Sequence, residues 1–153
     1  MIKKIFSLLI ILSLTHCGFT SLYNDTNKIN YKINIIEISG DRIINNILKS
    51  EINRISNPNS EKIFNLKINT SYEKIILSKN TKGTASDYQL IAKTNFIIES
   101  LNEKQVLSFE EKQNIKNILD IFEQKNYENS IKEIFASSMI RKLNLELINK
   151  KWF

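Results

Sequence analysis

Cysteine, histidine, proline and tryptophan each occur once in the 153 residues, and glycine occurs three times. Each scarcity excludes something. A single cysteine, Cys17, forbids a disulfide within the chain. His16, directly before it, is the only histidine; a chain cut before Cys17 and lipidated there has neither histidine nor free thiol, so the usual zinc sites and Ser-His-Asp and Cys-His catalysis lack their parts. Gly18, Gly40 and Gly83 lie far apart, which rules out a glycine-rich phosphate loop. The apolar run from Ile5 to Leu14 is only about ten residues, half of what a membrane-spanning helix needs. An enzyme built from this inventory would rely on carboxylates or lysine, and no pair of them stands out. The sequence therefore predicts a noncatalytic protein without cofactor or metal.

What is present begins with an address. Met1-Ile2-Lys3-Lys4, the short apolar run and the segment Leu14-Thr15-His16-Cys17 make a secretory signal peptide. The cysteine stands where such a signal is cut. That placement resembles a bacterial lipobox, in which the cysteine becomes the lipidated first residue of the mature protein. The expected division is a signal over 1–16, a lipidated tether over 17–29 and one domain over 30–153. Cutting before Cys17 leaves 137 residues and removes the only histidine. That is ample for one core. With 42% hydrophobic residues a folded domain is expected. Lys3 and Lys4 leave with the signal, so 20 basic residues face 16 acidic ones and the formal charge drops from +6 to +4. This mild excess suits anionic lipid phosphates, although most domains of such charge simply solvate it. Nothing in it points to nucleic acid.

The mature chain alternates between two periods. Tyr31, Ile33 and Ile35 alternate with polar residues as a strand, and the phase slips at Ile35-Ile36, which predicts a bulge or a strand buried on both faces. Asp41 is a good N-cap for a helix from Arg42 to about Ser56, with Ile44, Ile47, Leu48, Ile52 and Ile55 on one stripe. Asn57-Pro58-Asn59 ends it. Phe64, Leu66, Ile68, Tyr72 and Ile75-Ile76-Leu77 predict a strand of about fifteen residues, long enough to contain a bulge. After a polar connection over Ser78 to Ser86, the residues Tyr88, Leu90, Ala92, Thr94, Phe96 and Ile98 alternate as a third strand, and Val106 to Gln113 pairs back as a fourth. Ile115 to Lys125 reads as a linker in which Ile118, Ile121 and Phe122 hint at a helical turn. A last helix is expected from near Tyr127, or a turn earlier, to about Asn149, with capping-box spacing at Ser130 and Glu133. Its ladder is Ile131, Phe135, Met139, Leu143 and Leu147, reinforced by Ile134. The fold class that follows is α+β: a mainly antiparallel four-stranded sheet packed on one face by two amphipathic helices, in the order β-α-β-β-β-α.

Two stretches carry a family resemblance. Cys17-Gly18-Phe19-Thr20-Ser21-Leu22-Tyr23 resembles the Cys-Gly-Phe-x-Pro-Leu-Tyr start of many LPS-assembly lipoproteins of the LptE (RlpB) family. Gly83-Thr84-Ala85-Ser86-Asp87-Tyr88-Gln89-Leu90 is similar to that family's approach to its third strand. Asp41-Arg42 and the order of elements fit as well. Ser21 stands where the family commonly has Pro, and Asp87 where many members have Arg. The resemblance implies a lipoprotein on the periplasmic side of the outer membrane. Such a protein plugs the LptD β-barrel, helps that barrel assemble and contacts LPS; Gly18 after the cysteine agrees with outer-membrane sorting. Lys74, Lys79, Lys82 and Lys93 are the residues that would meet lipid A phosphates, against the plainer reading of a solvated loop and strand edge. Phe19 and Tyr23 pack either on a partner or on their own domain, and Trp152 and Phe153 read as a terminal clasp. The alternative class is a free-standing periplasmic binding or scaffolding lipoprotein; a lipid-anchored hydrolase ranks last for want of a nucleophile-base pair.

Overall fold

The computed structural model describes residues 31–100 and 103–149. Strand β1 (Lys32–Ser39), helix α1 (Arg42–Ile55), strands β2 (Ile63–Lys79), β3 (Ala85–Glu99) and β4 (Lys104–Lys116), and helix α2 (Ile121–Asn149) follow one another in the expected order. The sheet runs β1-β2-β3-β4. β1 is parallel to β2, as a strand-helix-strand connection requires, and the β2-β3 and β3-β4 pairs are antiparallel. The sheet is therefore mixed and mostly antiparallel. Cys17, Phe19, Tyr23, Trp152 and Phe153 lie outside the described residues.

Period-two patterning fixes which face is dry. Phe64, Leu66 and Ile68 of β2 and Leu90, Ala92, Phe96 and Ile98 of β3 are buried under the helices. Their odd-numbered neighbours Asn65, Asn69, Lys93 and Asn95 face outward and are exposed. The phase slip in β1 is a bulge: Ile35 pairs with Leu66 and Glu37 with Lys67, leaving Ile36 unpaired. β2 extends to 17 residues and carries its own irregularity at Leu77.

Asp41 caps α1 by accepting from the Ile43 and Ile44 amides, each at 3.0 Å. Ile44, Leu48, Ile52 and Ile55 are buried. In α2 the rows Ile131-Phe135-Met139-Leu143-Leu147 and Ala136-Ile140 fill the remaining core. Ile134 departs from the expected reinforcement: it is 61% exposed, because Ala136 and Ile140 supply the second row. Helix α2 also begins six residues before Tyr127. Its N-cap is Asp120, whose Oδ1 accepts from the Phe122 and Glu123 amides at 2.8 and 2.9 Å. Ser130 is thus an interior helix residue, its Oγ donating to the Asn126 carbonyl at 3.1 Å.

One glycine is required by geometry. Gly40, at φ +103°, turns β1 into α1 where a Cβ would lie 1.7 Å from the Thr70 carbonyl oxygen. The same Thr70 donates from Oγ1 to Asn45 Oδ1 at 2.8 Å, so a buried polar pair joins β2 to α1.

Candidate functional site

The end of the sheet that holds the β2-β3 turn gathers most of the residues with chemistry. Asn80 organises the turn: its Oδ1 accepts from the Lys82 and Thr84 amides at 3.0 Å each, and its carbonyl accepts from Gly83 N at 2.9 Å. Gly83 supplies φ +80° with open space around it. Below the turn, Ser78 Oγ and Ser86 Oγ lie 2.6 Å apart and both bond Asp87. Those two hydroxyls hold the Asp87 carboxyl below its ordinary range.

The four candidate lysines do not converge. Lys79 ends β2 and Lys82 sits in the turn; both are exposed, and neither forms an ion pair among the described residues. Lys74 lies on the helix-covered side, ion-paired to Glu128 and 3.9 Å from the centre of the Tyr88 ring. Glu128 also accepts from Gln124 Nε2 at 2.7 Å, and Gln124 Oε1 accepts from the Ile118 amide at 2.7 Å. The start of α2 is thereby tied to β2. Lys93 is on the opposite, outer face, 3.2 Å from Glu110, which is itself paired with Lys112 at 2.6 Å. These neighbouring ammonium groups keep the Glu110 carboxyl low.

A second polar cluster lies deeper. Lys132 Nζ of α2 is 2.6 Å from Asp41 Oδ2 and 3.9 Å from the centre of the Tyr72 ring. Burial pushes the Asp41 carboxyl up, yet the Lys132 ammonium and the two helix amides outweigh it and the net shift is downward. Tyr72 is driven strongly upward by burial and then by the Glu128 and Asp41 charges. Its hydroxyl is buried without a hydrogen-bond partner among the described residues. The cluster clasps two helices to the sheet; it offers no nucleophile with an adjacent base.

No group of three metal-ligating side chains occurs among the described residues. An open groove of about 760 Å³ runs between β4 and α2, lined by Glu111, Phe135, Ser138 and Arg141 among others. One of its two lining carboxylates, Glu111, is occupied by Ser138 and Lys142, each at 2.7 Å.

Sequence reasoning passed over a different feature. Ile75, Ile76 and Leu77 of β2, and Leu119, Ile121 and Phe122 around the start of α2, are all exposed. Three consecutive apolar residues in a strand cannot all face one core, and that was the available signal.

Neither a family model nor a curated protein sequence matches the chain. Solved structures do. A crystal structure of rare lipoprotein B from Shewanella oneidensis superposes with a TM-score of 0.56 at 15% identity, covering 76% of this chain and 98% of that one. The chain has the fold of rare lipoprotein B. A minor lipoprotein from Acinetobacter baumannii follows with TM-score 0.54 and 12% identity, over 77% of this chain and 96% of the other. Uncharacterized lipoprotein B from Nitrosomonas europaea gives 0.52 and 13%, over 80% and 90%. The resemblance to the LptE (RlpB) family read from Cys17-Gly18-Phe19 and from Gly83 to Leu90 thus has its counterpart in the order and pairing of the elements. No described helix is long and apolar enough to cross a membrane.

Proposed function

We propose that this chain is a lipid-anchored outer-membrane lipoprotein that seats in the lumen of an LptD-type β-barrel, assists the barrel's assembly and contacts LPS. The observation that carries the reading is the superposition on nearly the whole of rare lipoprotein B, in a chain that also holds a lipobox-like Cys17-Gly18-Phe19 after its apolar leader. The outer sheet face supports it. Asn65, Asn69, Ser71, Asn95, Ser108 and Asn114 lie there with the ion pairs Lys67–Glu99 and Lys93–Glu110, and Ile63, Ile75 and Val106 are the exposed apolar residues among them. Such a face suits the polar interior of a large barrel. Lys79 and Lys82, exposed at the turn, are the first lysines to present to lipid A phosphates; Lys74 and Lys93 would have to leave Glu128 and Glu110 to do so. The anchor is Cys17. One acyl chain anchors only marginally, at about 0.8 kcal/mol per buried CH₂, so several chains are needed for stable retention.

The test is copurification. A C-terminally tagged chain is expressed with the barrel encoded in its own genome and extracted from outer membranes in detergent. A stoichiometric complex that survives Cys17→Ala establishes the plug and makes the lipid secondary. Absence of a complex, with the lipoprotein still in the outer membrane, sinks the barrel reading and leaves a free-standing binding lipoprotein.

A further inference from the structure

The two edges of the sheet differ. β1 is 8 residues long and its bulge at Ile36 spoils it as a template, whereas β4 runs for 13 residues in unbroken register with β3. Parity shows what the free edge of β4 presents. The Asn117 amide donates to Ser86 O at 2.8 Å and the Ser100 amide to Glu103 O at 2.9 Å, so the odd-numbered residues of β4 bond to β3. The N–H and C=O groups of the even-numbered residues from Lys104 to Lys116 therefore point away from the sheet. Among the described residues only the Asn114 carbonyl is taken, by Gln113 Nε2 at 3.3 Å.

Charged side chains ordinarily guard such an edge. Here each is cancelled by a neighbour. Lys104 lies 3.4 Å from Glu99 and Lys112 2.6 Å from Glu110, while Lys116 stands opposite Asp87. Glu111, on the helix side, is held by Ser138 and Lys142. The edge is also complementary to itself. An antiparallel pair centred on Glu111 sets Glu110 against Lys112 of a second copy twice over, Ser108 against Asn114, and Val106 against the stem of Lys116. On the helix side Leu107 meets Ile115, and each Glu111 at the axis keeps its own Lys142. Neighbouring registers do worse. Centring on Glu110 opposes Glu110 to itself and Lys104 to Lys116; centring on Lys112 opposes Lys112 to itself; centring on Phe109 brings no unlike charges together.

Helix α2 repeats that centre. Ser138 is level with Glu111, and Ile134, Ser137 and Arg141 line the groove beside β4. Tyr127, Ile134, Arg141 and Ile148 recur every seven residues, are all exposed, and are symmetric about the small pair Ser137-Ser138. Two α2 helices meeting antiparallel there set Ile134 against Arg141 and Tyr127 against Ile148. A paired stretch over 106–116 and a helix stripe of about 30 Å approach the roughly 800 Å² per partner of a stable interface. We propose that two copies of this chain join antiparallel along β4 about a twofold axis at Glu111, making one continuous sheet with the α2 helices side by side over the seam. The inference is independent of the barrel reading and concerns the chain without a partner protein.

The test uses the mature chain, residues 17–153, with Cys17→Ser so that neither lipid nor the native thiol joins two copies. Light scattering after gel filtration should give the mass of two chains. Lys112→Pro removes one edge N–H and leaves the bonds to β3 in place, so it should give the mass of one chain with an unchanged far-UV spectrum. Glu110→Lys should weaken the dimer about tenfold or more, and Glu110→Lys/Lys112→Glu should restore it to within about threefold. Where Lys112→Pro fails to fold, that charge swap decides, because both side chains are exposed. Register is read separately: on oxidation Glu111→Cys should form a disulfide between chains and Gln113→Cys should not. A mass of one chain at every concentration up to about 1 mM overturns the proposal. So does a dimer that survives Lys112→Pro, one that ignores the charge swap, or one that Glu111→Cys fails to cross-link.

Discussion

Gly40 is where one added methyl group would do the most harm. Its positive φ is strained for any L side chain, and the Cβ would overlap the Thr70 carbonyl, which belongs to the β2 backbone and cannot yield. Gly40→Ala should cost on the order of 3 kcal/mol or more in a urea titration, with an unchanged m-value if two-state unfolding persists. Lys132 makes a milder but more informative case. The ammonium is the Asp41 carboxylate's only salt partner among the described residues, and both side chains are mostly buried. Lys132→Met should destabilise by about 1–2 kcal/mol, between the values for exposed and fully buried pairs. The pH dependence has a definite sign. Asp41 titrates below its ordinary 3.8 in the folded state, so its stabilising effect is present above that value and is lost as pH falls through the lowered one. Asp41→Asn should therefore shrink the stability difference between pH 6 and pH 3. Urea midpoints at the two pH values check it; an unchanged difference means the carboxylate is not held down.

The helices and strands show where period and parity were legible and where they were not. β3 could be read residue by residue, because every even position from Leu90 to Ile98 is buried. The α1 cap was equally plain, since an aspartate before an apolar 3.6-residue stripe has few other uses. Parity also held information about the candidate lysines. Lys74 shares the phase of Tyr72 and so the helix-covered side, while Lys93 lies between Ala92 and Thr94 and must face outward. The partner of Lys74 was not legible, because Glu128 reaches it from α2, whereas Glu110 stands directly opposite Lys93 in the β3-β4 pairing and needed only the register. The first turns of α2 were only hinted at, by Ile118, Ile121 and Phe122. Leu119, Ile121 and Phe122 do not face the core, so they contribute no stripe to a search for amphipathic periodicity. What announces the helix is Asp120. Asp120→Ala should cost about 1 kcal/mol and raise amide exchange over 121–126, leaving the amides beyond Ile131 unchanged.

For the molecule as a whole, one sheet face is core and the other is largely polar, with Ile63, Ile75 and Val106 among its exposed apolar residues. Phe96 sits at the centre of the core, fully buried and against Phe109 with ring centroids 5.9 Å apart. Phe96→Ala should lower stability by about 3–5 kcal/mol, measurable as a fall in the urea midpoint. The mixed sheet, with one parallel pair and a meander, also sets an order of events in time. Only five residues separate β2 from β3 and four separate β3 from β4, so each pairing closes a short loop. β1 must find β2 across all of α1, Lys32 reaching Ile63, and the covering helix α2 is the last element made. Local pairings form first and distant ones wait. During refolding, β3 amides should gain protection before those of β1. Until α2 arrives, Leu90, Ala92, Phe96 and Ile98 stand open to water, and a nascent chain stalled there presents a sticky half-built sheet to whatever escorts it.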